Sequence, residues 1–155
     1  MMLRGLVTLG LTLSLVVLSV AQSTPTPTPV ITLDRSVCFG SCPVYKVEIY
    51  EDGKVVYEGK EFVKKKGIAH SQITKQELEH LVEQFTKINY FDLKSEPDCP
   101  QSSTDHPSAS TSLKWHGRQN VVIHYHGCSG SEVLKQLTEL EDKIDTAVNS
   151  KQWIE

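Results

Sequence analysis

Three side chains able to bind a metal alternate along one short stretch: His124, His126 and Cys128. Residues two apart in a strand share a face, so all three can point the same way. Two imidazoles and a thiolate form an acceptable donor set for zinc or copper. The expected cross-strand neighbours, Ser110 and Ser112, are poor ligands, and His70, His106 and His116 contribute only if the fold brings them near. If Cys128 enters a disulfide, His124 and His126 alone are too few for tight binding. They then read as ordinary residues on an exposed sheet face.

A second candidate is Cys38-Phe39-Gly40-Ser41-Cys42-Pro43. Redox pairs are usually spaced C-x-x-C at a helix N-terminus, where the dipole lowers the attacking thiol's pKa. Here the spacing is one residue longer and Pro43-Val44-Tyr45 opens a strand. Thiol–disulfide exchange through Cys38 and Cys42 is therefore the remote reading and a structural bridge the main one. Ser102, Ser103, Asp105 and His106 share one loop, but a hydrolytic triad is defined by geometry, not by proximity in sequence. Thr104 and Asp105 equally suit an Asx-type turn. No nucleophile elbow or phosphate-cradling glycine loop is present. No catalytic residue is assigned, and the reading leans away from an enzyme.

The compartment follows from both ends of this argument. Arg4 and the apolar run Gly5 to Val20, closed by Ser19-Val20-Ala21, have the form of a cleavable signal peptide over residues 1–21. Thr/Pro alternation makes residues 22–29 a linker. Residues 30–155 then form a single domain that is secreted or periplasmic, with no stable membrane insertion after cleavage. All four cysteines lie in that part, and an even count in an oxidising compartment reads as two disulfides with three possible connectivities. Pairing Cys38 with Cys42 and Cys99 with Cys128 is preferred, because Gly40 lets a tight ring close and the other two cysteines flank loops. With 16 basic against 19 acidic residues, neither nucleic acid nor an anionic membrane is an expected partner. Lys64-Lys65-Lys66 reads as a solvated turn. No Asn-x-Ser/Thr sequon occurs, which fits a bacterial source.

The elements that must position these residues alternate strands and helices. Val30 to Leu33 reads as a first strand. Val44 to Tyr50 and Lys54 to Gly59 flank Glu51-Asp52-Gly53, a three-residue hairpin loop with Gly53 left-handed. That register sets Val47 against Tyr57, Ile49 against Val55 and Lys46 against Glu58 as a charge pair. A further strand is expected within Ile68 to Ile73. Thr74 and Glu77 form a capping box opening a helix with Leu78, Leu81, Val82, Phe85 and Ile88 on one side. A second hairpin, Ser110 to His116 and Asn120 to His126, turns at Gly117-Arg118-Gln119. It pairs Trp115 with Val121 and Leu113 with Ile123, leaving Ser112, Lys114, His124 and His126 on the other face. Ser129 is expected to cap a last helix buried through Val133, Leu137, Leu140, Ile144 and Val148, with Trp153 and Ile154 folding back. The predicted class is α+β: an antiparallel sheet of about five to six strands, two helices on one face and two disulfides.

The run Cys38-Phe39-Gly40-Ser41-Cys42-Pro43-Val44-Tyr45, followed by Asp52-Gly53 and Val55-Val56-Tyr57-Glu58-Gly59, resembles an uncharacterised bacterial domain family of exported proteins and lipoproteins. That family is marked by C-F/Y-G-x-C-P-x-Y and then D-G-x-V-x-Y-x-G. The resemblance extends over about Ile31 to Trp153, including Phe91, Thr104-Asp105, Tyr125 to Cys128 and Leu140-Glu141. It implies architecture and export, and no catalytic residues. The functional expectation is a non-catalytic binding or structural module for an unknown protein or envelope ligand, with Phe39 and Asp105 on its surface. Phe39 has a second reading, as a plug over the core. The alternative function is metal binding, zinc or copper, through His124 and His126.

Overall fold

The apolar alternation in the N-terminal half forms strands where it predicts them. The computed structural model describes residues 27–155; the expected signal peptide and residues 22–26 of the linker lie outside the described residues. Strand β1 is Ile31–Arg35, β2 Val44–Ile49, β3 Lys54–Glu61 and β4 Gly67–Gln72. After helix α1, Lys75–Lys87, and a 3-10 turn at Tyr90–Asp92 come β5, Gln101–Ser102, β6, Ser108–Trp115, β7, Arg118–Tyr125, and β8, Cys128–Ser129. Helix α2 is Glu132–Val148 and the short α3 Lys151–Ile154. The main sheet has six strands in the order β4-β3-β2-β1-β6-β7, all pairs antiparallel, and β5 pairs β8 separately. This is the expected α+β fold, with both disulfides paired Cys38–Cys42 and Cys99–Cys128.

The core lies between one sheet face and the two main helices. Ile31, Leu33, Val47, Ile49, Val55, Tyr57, Leu113 and Val122 meet Leu78, Leu81 and Phe85 from α1 and Leu137, Leu140 and Ile144 from α2. Each such side chain contributes about 1.5–3 kcal/mol by leaving water. Trp153 folds back onto Tyr57, with ring centroids 4.7 Å apart. Among the described residues no helix is long and apolar enough to cross a membrane.

The first hairpin keeps its expected register: Val47 faces Tyr57, Ile49 faces Val55, and Gly53 takes φ +79°. Lys46 does face Glu58, but its ammonium bonds to Glu48, two residues along its own strand. The second hairpin differs. Its loop is two residues, His116-Gly117, both at positive φ (+48° and +77°), which is the geometry that matches strand twist. The pairs are therefore Trp115 with Arg118, Leu113 with Asn120 and Ala109 with His124. The register is thus displaced by three residues from the expected one, and a displacement by an odd number exchanges the faces. Val121 and Ile123 are exposed and Val122 and His124 buried. His124 and His126 thus lie on the helix-covered side, not on an exposed sheet face. Ser129 belongs to β8, and α2 starts after Ser131 without a side-chain cap. Leu134 takes the buried place expected of Val133, which is only partly covered.

Candidate functional site

Strand alternation and helix periodicity bring charged groups together at one side of the core. Along β1 the inward positions are Ile31, Leu33 and then Arg35, and β2 turns Tyr45 inward beside it in register. On α2, Glu141 follows the buried Leu137 by one turn, and Asp145 follows Glu141 by another, so both carboxylates share a face. On the sheet, His124 comes from β7 and His126 from the turn after it.

Glu141 is 1 % exposed and His124 2 %. His124 Nδ1 lies 2.9 Å from Glu141 Oε1, and His126 Nε2 lies 2.8 Å from Glu141 Oε2. A carboxylate only accepts, so each imidazole donates an N–H. The two rings stack with centroids 4.5 Å apart. Arg35 Nη1 approaches Glu141 Oε2 at 3.5 Å, and Arg35 Nη2 donates to Asp145 Oδ2 at 2.8 Å. Arg35 Nε donates to the Tyr45 hydroxyl at 2.9 Å, which donates to Asp145 at 2.8 Å. Ser150 Oγ donates to Asp145 Oδ1 at 2.6 Å.

Burial raises the Glu141 carboxyl pKa, but the hydrogen bonds from His124 and His126 more than offset it and leave it below the usual carboxylate range. Burial works against the Arg35 charge too, yet Tyr45, Asp145 and Glu141 hold its pKa above the ordinary value. Burial and then the Asp145 charge raise the Tyr45 phenol, so it stays a neutral donor. The cluster is ionic and mostly buried, and each carboxylate oxygen of Glu141 and Asp145 has at least one donor.

The disulfide loops gather at the same end of the sheet. The Cys38–Cys42 ring leaves β1 and re-enters through Pro43 into β2, with a strand and no helix behind it. The Phe39 amide donates to Asp105 O at 3.2 Å, tying the ring to the loop held by Cys99–Cys128. Asp105 sits at φ +73° and its carboxylate accepts from Thr104 Oγ1 at 2.9 Å; the residue two further on, Pro107, has no amide to complete an Asx turn from Asp105. Phe39 is 88 % exposed, which overturns its reading as a plug over the core. Val37 and Phe62 are exposed at the same end, since β1 finishes at Arg35 and Val44 pairs Glu61. Beneath them a cleft of about 230 Å³ is lined by Arg35, Cys42, Pro43, Tyr45, Pro107 and Ile154 among others. A larger groove of about 1060 Å³ between α1 and α2 carries solvated carboxylates, among them Glu77, Glu83 and Glu139, and lies on the outer side of the helices.

Of the residues singled out by sequence, His124 and His126 come together. Cys128 is taken by its disulfide, and His70, His106 and His116 are exposed outside the cluster. Sequence reasoning missed Arg35, Tyr45, Glu141 and Asp145. Glu141 had a signal, as a charge within the apolar stripe Leu137, Leu140, Ile144. Arg35 had another, at the inward position ending the alternation Ile31, Leu33.

No curated protein matches the chain. The family model described as a domain of unknown function (DUF6438) matches residues 29–148. That span takes in both disulfides, the six-stranded sheet and every member of the ionic cluster but Ser150. The chain belongs to the DUF6438 domain family.

Proposed function

We propose that this is a non-catalytic, exported binding module that docks a protein partner in the envelope on the sheet end carrying Phe39. The observation behind this reading is an aromatic side chain 88 % exposed on a ring closed by a disulfide. A rigid loop loses little conformational entropy on binding, and buried aromatics are the usual anchors of protein interfaces. Val37 and Phe62 extend the apolar surface, and the exposed lysines Lys60, Lys64, Lys65 and Lys66 flank it on the β3–β4 side. The matching partner presents an apolar socket with an acidic rim. Export is supported by two disulfides, which persist in oxidising compartments.

The test is photo-cross-linking from a probe placed at Ser41, in envelope extract, with unlabelled protein as competitor. One saturable adduct is expected, competed by wild type and at least about tenfold less well by Phe39→Ala. Equal competition by wild type and Phe39→Ala removes the proposal, as does an adduct formed only with a second copy of this chain.

A further inference from the structure

We propose that His124, His126 and Glu141 form a binding site for one divalent metal ion, zinc or copper(II), where β7 passes beneath α2. One donor atom from each of the three lies within 4.8 Å of the others. The set is two imidazole nitrogens and one carboxylate oxygen, which these borderline ions accept and which catalytic zinc sites also use. The thiol that would have completed a histidine pair is bound in Cys99–Cys128. Its place as third donor is taken by Glu141, delivered from the opposite layer.

Charge favours a dication. Glu141, Asp142 and Asp145 all lie within 4 Å of a single guanidinium, Arg35. With neutral imidazoles the surroundings therefore carry an excess of negative charge. Arg35 approaches Oε2 of Glu141, which orients the carboxylate and leaves Oε1 as the metal's oxygen, the arrangement by which outer partners steer ligands. On binding, each imidazole moves its proton to the opposite ring nitrogen, so His124 presents a bare Nδ1 and His126 a bare Nε2. The count of bound protons is unchanged. A purely stabilising role is met as well or better by apolar side chains of similar volume, so a buried carboxylate held by two stacked imidazoles calls for a use. His126 is 22 % exposed while the other two are sealed, which makes it the entry side and leaves further coordination positions to water.

This site is independent of docking through Phe39. Calorimetric titration of the purified protein with zinc chloride and with copper(II) chloride tests it directly. One ion per chain is expected, with binding weakened at least about 100-fold in His126→Ala and unchanged in His70→Ala and His106→Ala. His126 is the most exposed of the three ligands, and circular dichroism checks the fold of His126→Ala and of Glu141→Gln, which supplies the oxygen arm. Cobalt(II) gives a second readout. Visible ligand-field bands should appear in wild type and vanish in His126→Ala. Absence of binding to wild type at millimolar metal, or equal binding by wild type and His126→Ala, overturns the site.

Discussion

The two main helices hold the same sheet face by different means. Under α1 the contact is apolar: Leu78, Leu81, Val82 and Phe85 are buried, and the Phe85 ring meets Tyr90 edge-on at 4.7 Å. The polar exceptions are Gln84, whose side-chain oxygen accepts from Lys143 Nζ at 3.0 Å, and Tyr90, its hydroxyl bonded to the Thr111 carbonyl at 2.7 Å and its pKa pushed up to about 12 by burial. Under α2 the apolar stripe is interrupted by Glu141, which draws Arg35, His124 and His126 onto it. Apolar packing tolerates small shifts and is indifferent to pH in its direct energetics. An ionic cluster is neither, because a lost partner leaves a buried charge without compensation. The α2 side is therefore where the fold is fragile and where chemistry has donors to work with.

The largest expected effect breaks that cluster. Glu141→Ala leaves two imidazoles and a guanidinium without their shared acceptor and should cost about 3–5 kcal/mol, read from urea denaturation at neutral pH. Leu81→Ala under α1 should cost about 2–5 kcal/mol by cavity formation, with the same value at pH 7 and pH 4. For Glu141 the pH dependence has a definite sign. Its folded pKa is depressed, so the stabilisation is fully present above the unfolded carboxyl value of about 4.3 and is lost as pH falls through the folded value. Wild type should lose stability on acidification more steeply than Glu141→Gln. Parallel acid curves for the two would mean that the carboxylate is not the charge-bearing centre of the α2 side.

Next come the two disulfides, which close loops of unequal length. Removing Cys99–Cys128 as a double alanine variant should cost about 3.5 kcal/mol, and removing Cys38–Cys42 about 2 kcal/mol, by loss of chain entropy. The first bridge also fastens the loop whose Asp105 carbonyl receives the Phe39 amide. Thermal denaturation of both variants checks the order, and a reversal would make the small ring the main staple of this end.

The difference between the two regions also decided what the sequence made legible. The first hairpin was readable because Asp52-Gly53 specifies its turn and Val47, Ile49, Val55 and Tyr57 alternate cleanly. The second was not, because Val121, Val122 and Ile123 are apolar in succession and favour neither face. Its register is settled by partners distant in sequence. Asn120 Nδ2 donates to the Tyr90 and Leu93 carbonyls at 2.8 and 3.0 Å, and His124 finds Glu141 on α2. A pattern that counts only apolar residues turns such a strand over, and it did so here. Both histidines were legible as candidates, whereas their carboxylate was hidden inside a helical stripe and Arg35 inside a strand alternation. The disulfide pairing was readable since local ring closure and loop position both pointed to it.

The smallest expected effect concerns how the two helices begin. At α1, Thr74 Oγ1 accepts from the Glu77 amide at 3.2 Å, and the Glu77 carboxylate accepts from the Thr74 amide at 2.7 Å. Two of the orphan donors of the first turn are thereby satisfied. Those bonds, backbone first, also hold the Glu77 carboxyl pKa below its usual value. At α2, Ser131 is extended at the N-cap position but its hydroxyl makes no capping bond. Thr74→Ala should therefore cost about 1 kcal/mol, and Ser131→Ala should stay within about 0.5 kcal/mol, both by urea denaturation. The helix that begins without a side-chain cap is the one carrying Glu141. Its anchoring then rests on Leu134, Leu137, Leu140 and Ile144 together with the ionic cluster. If Ser131→Ala proves as costly as Thr74→Ala, the start of α2 is held locally, and the cluster has a smaller share in fixing that helix than its geometry assigns.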